Sequence, residues 1–309
     1  MKSKQLVVES PARDKPVPKS ATEIVSVIVP AYNAGQKLGY QLEALYNQEF
    51  DGDWEVIVID NGSTDNTANV VKTYQRKMPQ LRLLQAPERR NRSYARNEGV
   101  KVARGNLLLF CDADDVVGEN WVPAMAAALR KHTFVICPLE SRRLRESAQE
   151  DETFINRMSL KEVYLDFLPV AMGCAFAVRR DAFEACGGYS ENFPRSQDVD
   201  LSWRLQLAGH EIELTEDTVV YGRPRSTYKA IMKQGFEFGV AQVNLYRTFA
   251  HHGMPNSSFK AAVAEYWRLV KQLRGFHRKS RLKREQWVQK ASFRVGRLFG
   301  CFRYRRLYF

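Results

Sequence analysis

Two apolar runs that end in carboxylates constrain this chain more than any other feature. Glu55-Val-Ile-Val-Ile59 leads into Asp60, and Leu107-Leu-Leu-Phe-Cys111 leads into Asp112, Asp114 and Asp115. Each run is short, continuous and rich in aliphatic residues, as expected of a strand buried on both faces. Val25–Val29, Leu81–Gln85 and Phe134–Cys137 have the same character, and helical stretches are expected between them at 36–48, 65–76, 93–103 and 120–131. Strands alternating with helices imply parallel βαβ units and a mostly parallel sheet with helices on both faces, an α/β fold.

The rhythm breaks after Pro138, where the charged segment Glu140–Glu152 reads as a mobile loop. Val170–Val178 is expected as a strand, Asp181–Ala185 as a short helix, Asp198–Leu207 as an amphipathic helix and Asp217–Tyr221 as a last strand. Beyond Pro224 the pattern turns helical. Residues 1–23 are polar and broken by Pro11, Pro16 and Pro18, which predicts a disordered leader. The 309 residues therefore divide into a leader, an α/β domain over 24–223 and a helical region over 224–309.

Several classes are excluded. The five cysteines are odd in number and form no CxxC pair, which argues against a disulfide framework or a structural zinc site. Neither HExxH nor GxxxxGK[ST] is present, so a zincin and a P-loop nucleotidase are out. No stretch approaches the run of about 18–20 apolar residues that a spanning helix needs, and the first 20 residues lack a signal-peptide core, so a cytosolic location is expected.

In an open parallel sheet, ligands bind outside the carboxyl ends of the strands. Asp60-Asn61-Gly62-Ser63 there reads equally well as a capped turn. Cys111-Asp-Ala-Asp-Asp115 is harder to read as structural, because three carboxylates within four residues repel one another and call for a cation. A hard divalent ion, Mg²⁺ or Mn²⁺, takes one or two carboxylates together with substrate phosphates, and Asp112 and Asp114 are spaced to hold one.

The order of motifs then resembles family 2 glycosyltransferases of the GT-A fold. Val25-Ser-Val-Ile-Val-Pro-Ala-Tyr-Asn33, Val58-Ile-Asp-Asn-Gly-Ser-Thr-Asp65, Ala95-Arg-Asn-Glu-Gly99 and Phe110-Cys-Asp-Ala-Asp-Asp115 look like the nucleotide-sugar half, 24–115. Gly173-Cys-Ala-Phe-Ala-Val-Arg-Arg-Asp-Ala-Phe183, Gly187-Gly-Tyr-Ser-Glu191 and Gln197-Asp-Val-Asp-Leu-Ser-Trp-Arg204 look like the acceptor half, 116–223. The resemblance implies that Pro30, Tyr32 and Asp60 hold the base and ribose, and that Arg96 approaches the diphosphate. It implies further that Asp112 and Asp114 are the DxD pair on ribose and metal, with Asp198 as the catalytic base. Gly173, Gln197 and Trp203 fall on the acceptor side. An inverting transfer from a nucleotide diphosphate sugar, a UDP-sugar favoured, to a glycan or lipid-linked acceptor in polysaccharide or glycolipid synthesis follows. Three departures stand out: Asn61 replaces a frequent second Asp, Gln197 replaces the Glu before the base, and Gly222 lies where many members carry a His that completes the metal site. The last two leave open a catalytically weak relative that binds nucleotide sugar or acceptor without transfer.

Net charge is +12, unevenly spread: from Arg268 to Phe309 there are 14 Lys or Arg and one acid, Glu285, against 33 basic and 34 acidic residues elsewhere. Trp287, Ala291, Val295, Leu298 and Phe302 recur at helical spacing beside Lys290, Arg294 and Arg297. Such a stripe suits a helix lying on an anionic membrane, so 268–309 is expected to hold the protein peripherally on the inner face of the cell membrane. A nucleic-acid partner is not expected, because no recognisable nucleic-acid module accompanies the basic residues.

Overall fold

The computed structural model describes residues 23–140, 161–223, 227–256 and 258–308; the expected leader lies outside this range except for Glu23, as does the expected loop beyond Glu140. The first part of the chain alternates as expected: β1 (Val25–Ala31), α1 (Leu38–Tyr46), β2 (Trp54–Asp60), α2 (Thr67–Gln75), β3 (Leu81–Gln85), α3 (Arg92–Val102) and β4 (Leu107–Phe110). After it come β5 (Val116–Val117), α4 (Trp121–Leu129), β6 (Phe134–Ile136), β7 (Leu139–Glu140), the hairpin pair β8 (Val163–Tyr164) and β9 (Leu168–Pro169), β10 (Phe176–Arg179), α5 (Arg180–Ala185), α6 (Gln197–Leu207), β11 (Ile212–Leu214) and β12 (Val220–Tyr221).

Seven strands form one sheet in the order β11-β6-β10-β4-β1-β2-β3. Pairing is parallel among β3, β2, β1 and β4 and between β6 and β11; β10 alone runs antiparallel to its neighbours β4 and β6. The period of two along each strand sends alternate side chains to opposite faces. Val25, Val27, Val29, Val56, Val58, Leu107 and Leu109 pack with Leu38, Leu42 and Leu45 of α1 and Trp121 and Met125 of α4. Ile28, Ile57, Ile59, Leu108 and Phe110 face the other way, onto Ala95 and Val100 of α3 and Leu201 and Leu205 of α6. Both faces are covered, which is why the strands carry no polar alternation.

The order of strands reverses between β1 and β4, and the carboxyl ends of those two strands open a crevice at that point. A second sheet, β5-β12-β7, sits by the segment that follows the acid cluster. The expected strand 170–178 pairs only from Phe176, because the backbone before it is used elsewhere: Ala171 N–H donates to Ser202 Oγ at 2.9 Å, and both polar groups of Gly173 are engaged by side chains. Similarly, only Val220 and Tyr221 of the expected strand 217–221 are paired.

Three helices follow Pro224: α7 (Tyr228–Phe249), α8 (Phe259–Lys271) and α9 (Arg281–Tyr304), started by the side-chain caps Thr227, Ser258 and Ser280. α7 and α9 meet at Gly235, Gly239, Gly296 and Gly300. A Cβ on Gly239 would lie 2.0 Å from the Phe293 carbonyl oxygen, and one on Gly296 2.0 Å from that of Phe236, so the two backbones touch where side chains are missing. A third apolar cluster, with Val199 and Trp203 of α6 and Val243, Leu245 and Phe249 of α7, fastens the helices to the sheet domain. Among the described residues, no helix is long and apolar enough to cross a membrane.

The stripe expected on α9 is divided. Trp287 donates its indole N–H to the Leu269 carbonyl at 3.0 Å and stacks edge-on with Phe276, while Arg294 and the buried Arg297 turn to Glu265. Val295, Leu298 and Phe302 remain exposed.

Candidate active site

Each expected site residue sits at or near the crevice except Trp203. Pro30 lies at the end of β1 and Tyr32 directly after it, with Pro30 buried in the sheet and Tyr32 47% exposed beneath the Arg90 guanidinium, 5.4 Å from its ring centre. Asp60 ends β2 and accepts from Ser63 N–H at 2.9 Å, so the capped turn is present at the carboxyl end of the strand. Asn61 explains its own substitution: its amide donates to the Ala86 and Arg89 carbonyls, and its Oδ1 accepts from Asn91 N–H at 2.9 Å. An aspartate could not make the two donations.

Beyond β4, Asp112, Asp114 and Asp115 offer one oxygen each within 4.8 Å of one another. Three cations surround two of them. Arg96 donates to Asp112 Oδ1 at 2.7 Å, Arg92 lies 3.5 Å from Asp112 Oδ2, and Lys37 lies 3.9 Å from Asp114. Asp115 is buried, and burial together with the Asp112 and Asp114 carboxylates pushes its carboxyl up to about 8. Its Oδ1 accepts from Arg223 N–H at 3.1 Å, a contact made by the β12 end of the second sheet. Gly222 is adjacent: a Cβ built there would lie 3.8 Å from Asp115 Oδ1, so the residue that departs from the family pattern does face the acid cluster.

Arg96 differs from its expected place. It is fully enclosed, with its guanidinium 5.0 Å from the Tyr189 ring centre, and is shielded from the crevice rather than presented to it. A charge so buried needs partners. The same Nη2 that holds Asp112 also donates to the Gly173 carbonyl at 2.8 Å; the Gly173 N–H in turn donates to Asp198 Oδ2 at 3.0 Å. One residue, Gly173, with Arg96 thus joins the acid cluster after β4 to the carboxylate at the start of α6. A Cβ on Gly173 would meet Arg96 Nη2 at 3.1 Å and Asp198 Cβ at 3.3 Å, so a side chain there would press on both partners.

Asp198 lies in the first turn of α6 and is half-buried; its Oδ1 accepts from its neighbour's N–H, that of Val199, at 3.0 Å. The N–H dipoles of a helix start favour a carboxylate there. Gln197 precedes it, buried, after Ser196 in the left-handed region at φ 58°. Trp203, expected on the acceptor side, is fully buried instead: its indole donates to the Leu168 carbonyl at 3.1 Å and its ring packs on Phe167 and Phe249. Asp200 is likewise structural, paired with Arg204 four residues on. Asp115, Arg92, Lys37 and Arg223 complete the site; only Asp115 had a signal in sequence, as the third member of the acidic run.

The sequence profile of Glycosyl transferase family 2 matches residues 26–187, more than half of the chain. The chain belongs to that family. Glycosyltransferase AglE of Haloferax volcanii is 25% identical over 232 residues, covering 74% of this chain and 75% of AglE. Other curated relatives match more narrowly, and the chain spans only about a third of their length, 28–34%. Among solved structures, the mannosyltransferase PcManGT from Pyrobaculum calidifontis, in complex with GDP-Man and Mn²⁺, superposes with a TM-score of 0.64 at 18% identity, covering 96% of this chain and 91% of that one. TarS 1–349 of S. aureus in complex with UDP-GlcNAc gives 0.53 at 18% identity and 93% of each chain. At these identities the likeness is one of fold, and the fold is GT-A. The glycosyltransferase family and fold expected from the motif order are those found.

Proposed function

We propose that this glycosyltransferase moves a sugar from a nucleotide diphosphate sugar to an acceptor hydroxyl in one displacement, inverting the anomeric centre. The observation that carries this reading is the linkage Asp112–Arg96–Gly173–Asp198, which fixes a leaving-group site and a base relative to each other through three hydrogen bonds. Tyr32, exposed at the end of β1, offers a face for the base, and Asp60 an acceptor for ribose or base donors. Arg92 and Lys37 supply positive charge for the diphosphate; Arg96 is a positioning residue that sets Asp112 and the Gly173 peptide.

Three clustered carboxylates, one pushed up to about 8, have the chemistry of a hard divalent site, and Asp115 would provide the third ligand that Gly222 does not. Asp112, Asp114 and Asp115 would hold Mg²⁺ or Mn²⁺, which supplies Lewis-acid charge to a departing diphosphate. Asp198 takes the proton from the acceptor hydroxyl on the lone pairs left by its two N–H donors. A pair of carboxyls acting as acid and nucleophile, as a glycosidase needs, is not required when the leaving group is already a good one. A UDP-sugar is the favoured donor, and a glycan or lipid-linked molecule the acceptor. The protein acts at the cytoplasmic face of a membrane, a reading supported by 14 basic residues against one acid from Arg268 onward.

The test is a panel of UDP- and GDP-sugars, incubated with the full chain, Mn²⁺ and an acceptor extract, with release of nucleoside diphosphate as the readout. Release from one donor, abolished by EDTA, restored by Mn²⁺ and lost in Asp114→Ala, is expected. Full-rate transfer in EDTA would reassign the acid cluster. Donor binding without release from any sugar would favour the weak relative that Gln197 and Gly222 suggest.

A further inference from the structure

α8 carries an apolar face that no other described residue covers. Val263, Trp267 and Val270, spaced four and three apart, are 39%, 61% and 57% exposed, whereas Ala262, about 100° around the helix toward the side that meets α9, is buried. Exposed large apolar side chains are ordinary singly; a stripe of them along one helix is not.

Contacts orient this stripe relative to α9. Glu265 pairs with Arg294, the Tyr266 hydroxyl donates to the Arg294 carbonyl, and the Trp287 indole donates to the Leu269 carbonyl. As numbers rise along α8, partners fall along α9, so the two helices are antiparallel. At about 100° per residue, Val263, Trp267 and Val270 follow the contact row of α8 in the same rotational sense as Val295, Leu298 and Phe302 follow that of α9. In antiparallel neighbours a shared sense turns both stripes to one side of the pair. α7 packs on the glycine side of α9, Gly296 and Gly300, and leaves this face open. Val295, Leu298 and Phe302 are 57%, 58% and 85% exposed.

Charge decides what covers it. The exposed Lys260 and Lys271 border the stripe on the outer edge of α8, and Arg303 borders it on the outer edge of α9. The one acid of α8, Glu265, turns inward to Arg294 and Arg297, and the one acid of α9, Glu285, is paired with Arg281. A second copy docked on the same face would set these cations against each other; an anionic surface with an apolar interior would satisfy both features. We infer that α8 and α9 together form one face that lies in the headgroup region of an anionic phospholipid bilayer, with Trp267 and Phe302 inserted. This rests on the membrane reading above and moves its focus from the α9 stripe headed by Trp287 to a two-helix surface. The face is tied to the chemistry through α7, whose Glu237 holds Arg195, three residues before Asp198, at 2.7 Å.

The full chain is sedimented with phosphatidylglycerol–phosphatidylcholine vesicles and with pure phosphatidylcholine vesicles, with thermal unfolding as the control on folding. Binding to the anionic vesicles only, weakened by salt, is expected. Trp267→Glu with Val270→Glu, and separately Phe302→Glu, should each lower partitioning at least about tenfold, and Lys260→Gln with Lys271→Gln should lower it about as much at low salt. If the parent chain ignores anionic vesicles, this proposal and the membrane reading both fail. If Phe302→Glu abolishes binding and the α8 variants bind like the parent, α8 has no part in it and the membrane reading survives. If light scattering gives a dimer that Trp267→Glu with Val270→Glu makes monomeric, the face joins two copies, and the inference is overturned.

Discussion

Gly173 is held between Arg96 and Asp198 with no room for a methyl group that does not displace one of them. Gly173→Ala should therefore lower transfer by about 10- to 100-fold, since catalytic groups misplaced by a fraction of an ångström to 1 Å lose rate on that scale. Nucleotide affinity should change less; steady-state kinetics at saturating donor would show this, and parent-like rates would mean the linkage is dispensable. Asp115 gives a prediction in pH. The folded chain keeps a proton on this carboxyl up to about 8, because of burial first and then Asp112 and Asp114, while the unfolded chain releases it near the ordinary value of about 3.9. Its stabilising effect is thus complete below the ordinary value and is lost as pH rises through the window to about 8. Asp115→Asn cannot ionise, so in EDTA its melting temperature should gain on the parent's between pH 5 and pH 9; a constant offset would contradict the assignment. At this scale the sequence pointed to Asp112 and Asp114 because carboxylates at a strand end are a local signal, and to Asp198 through the family resemblance. It did not show that Arg96 is enclosed or that Trp203 is core, since burial depends on residues far away in the chain.

Helices α7 and α9 show the same limit at the scale of elements. From sequence, Gly296 and Gly300 only weaken a helix; in the fold they are where two backbones meet. The two views predict opposite outcomes for Gly296→Ala. Helix propensity alone would favour Ala by about 1 kcal/mol, but the new Cβ would fall 2.0 Å from the Phe236 carbonyl oxygen. Forcing the helices apart should cost about 1–3 kcal/mol net, read by denaturant unfolding, and a more stable variant would show that the contact yields freely. Strands were legible where they are long and buried, as in β1, β2 and β4. The three-residue β11 and the start of β10 were not, because a side chain's claim on the Gly173 peptide outweighs the strand character of Val170–Val178.

At the scale of the whole molecule, the sheet domain gathers the carboxyl ends of β1, β2 and β4, and α6 brings Asp198, the proposed base, to them from the later part of the chain. The two halves share the sheet through the pairing of β4 with β10, and Arg96 and Gly173 add a hydrogen-bonded link between Asp112 and Asp198. In the proposed reaction Asp198 is a base in the chemical step and not a donor ligand. Asp198→Asn keeps the shape and can still accept from Gly173 N–H, but its amide cannot take the proton of an acceptor hydroxyl. The measurement that tests this most directly is single-turnover transfer by Asp198→Asn with Mn²⁺ and saturating donor, on enzyme whose donor affinity has been titrated. Transfer about 10²- to 10⁴-fold slower at an unchanged donor Kd is the expected result; transfer near the parent's rate would remove Asp198 from the reaction and the linkage from the mechanism.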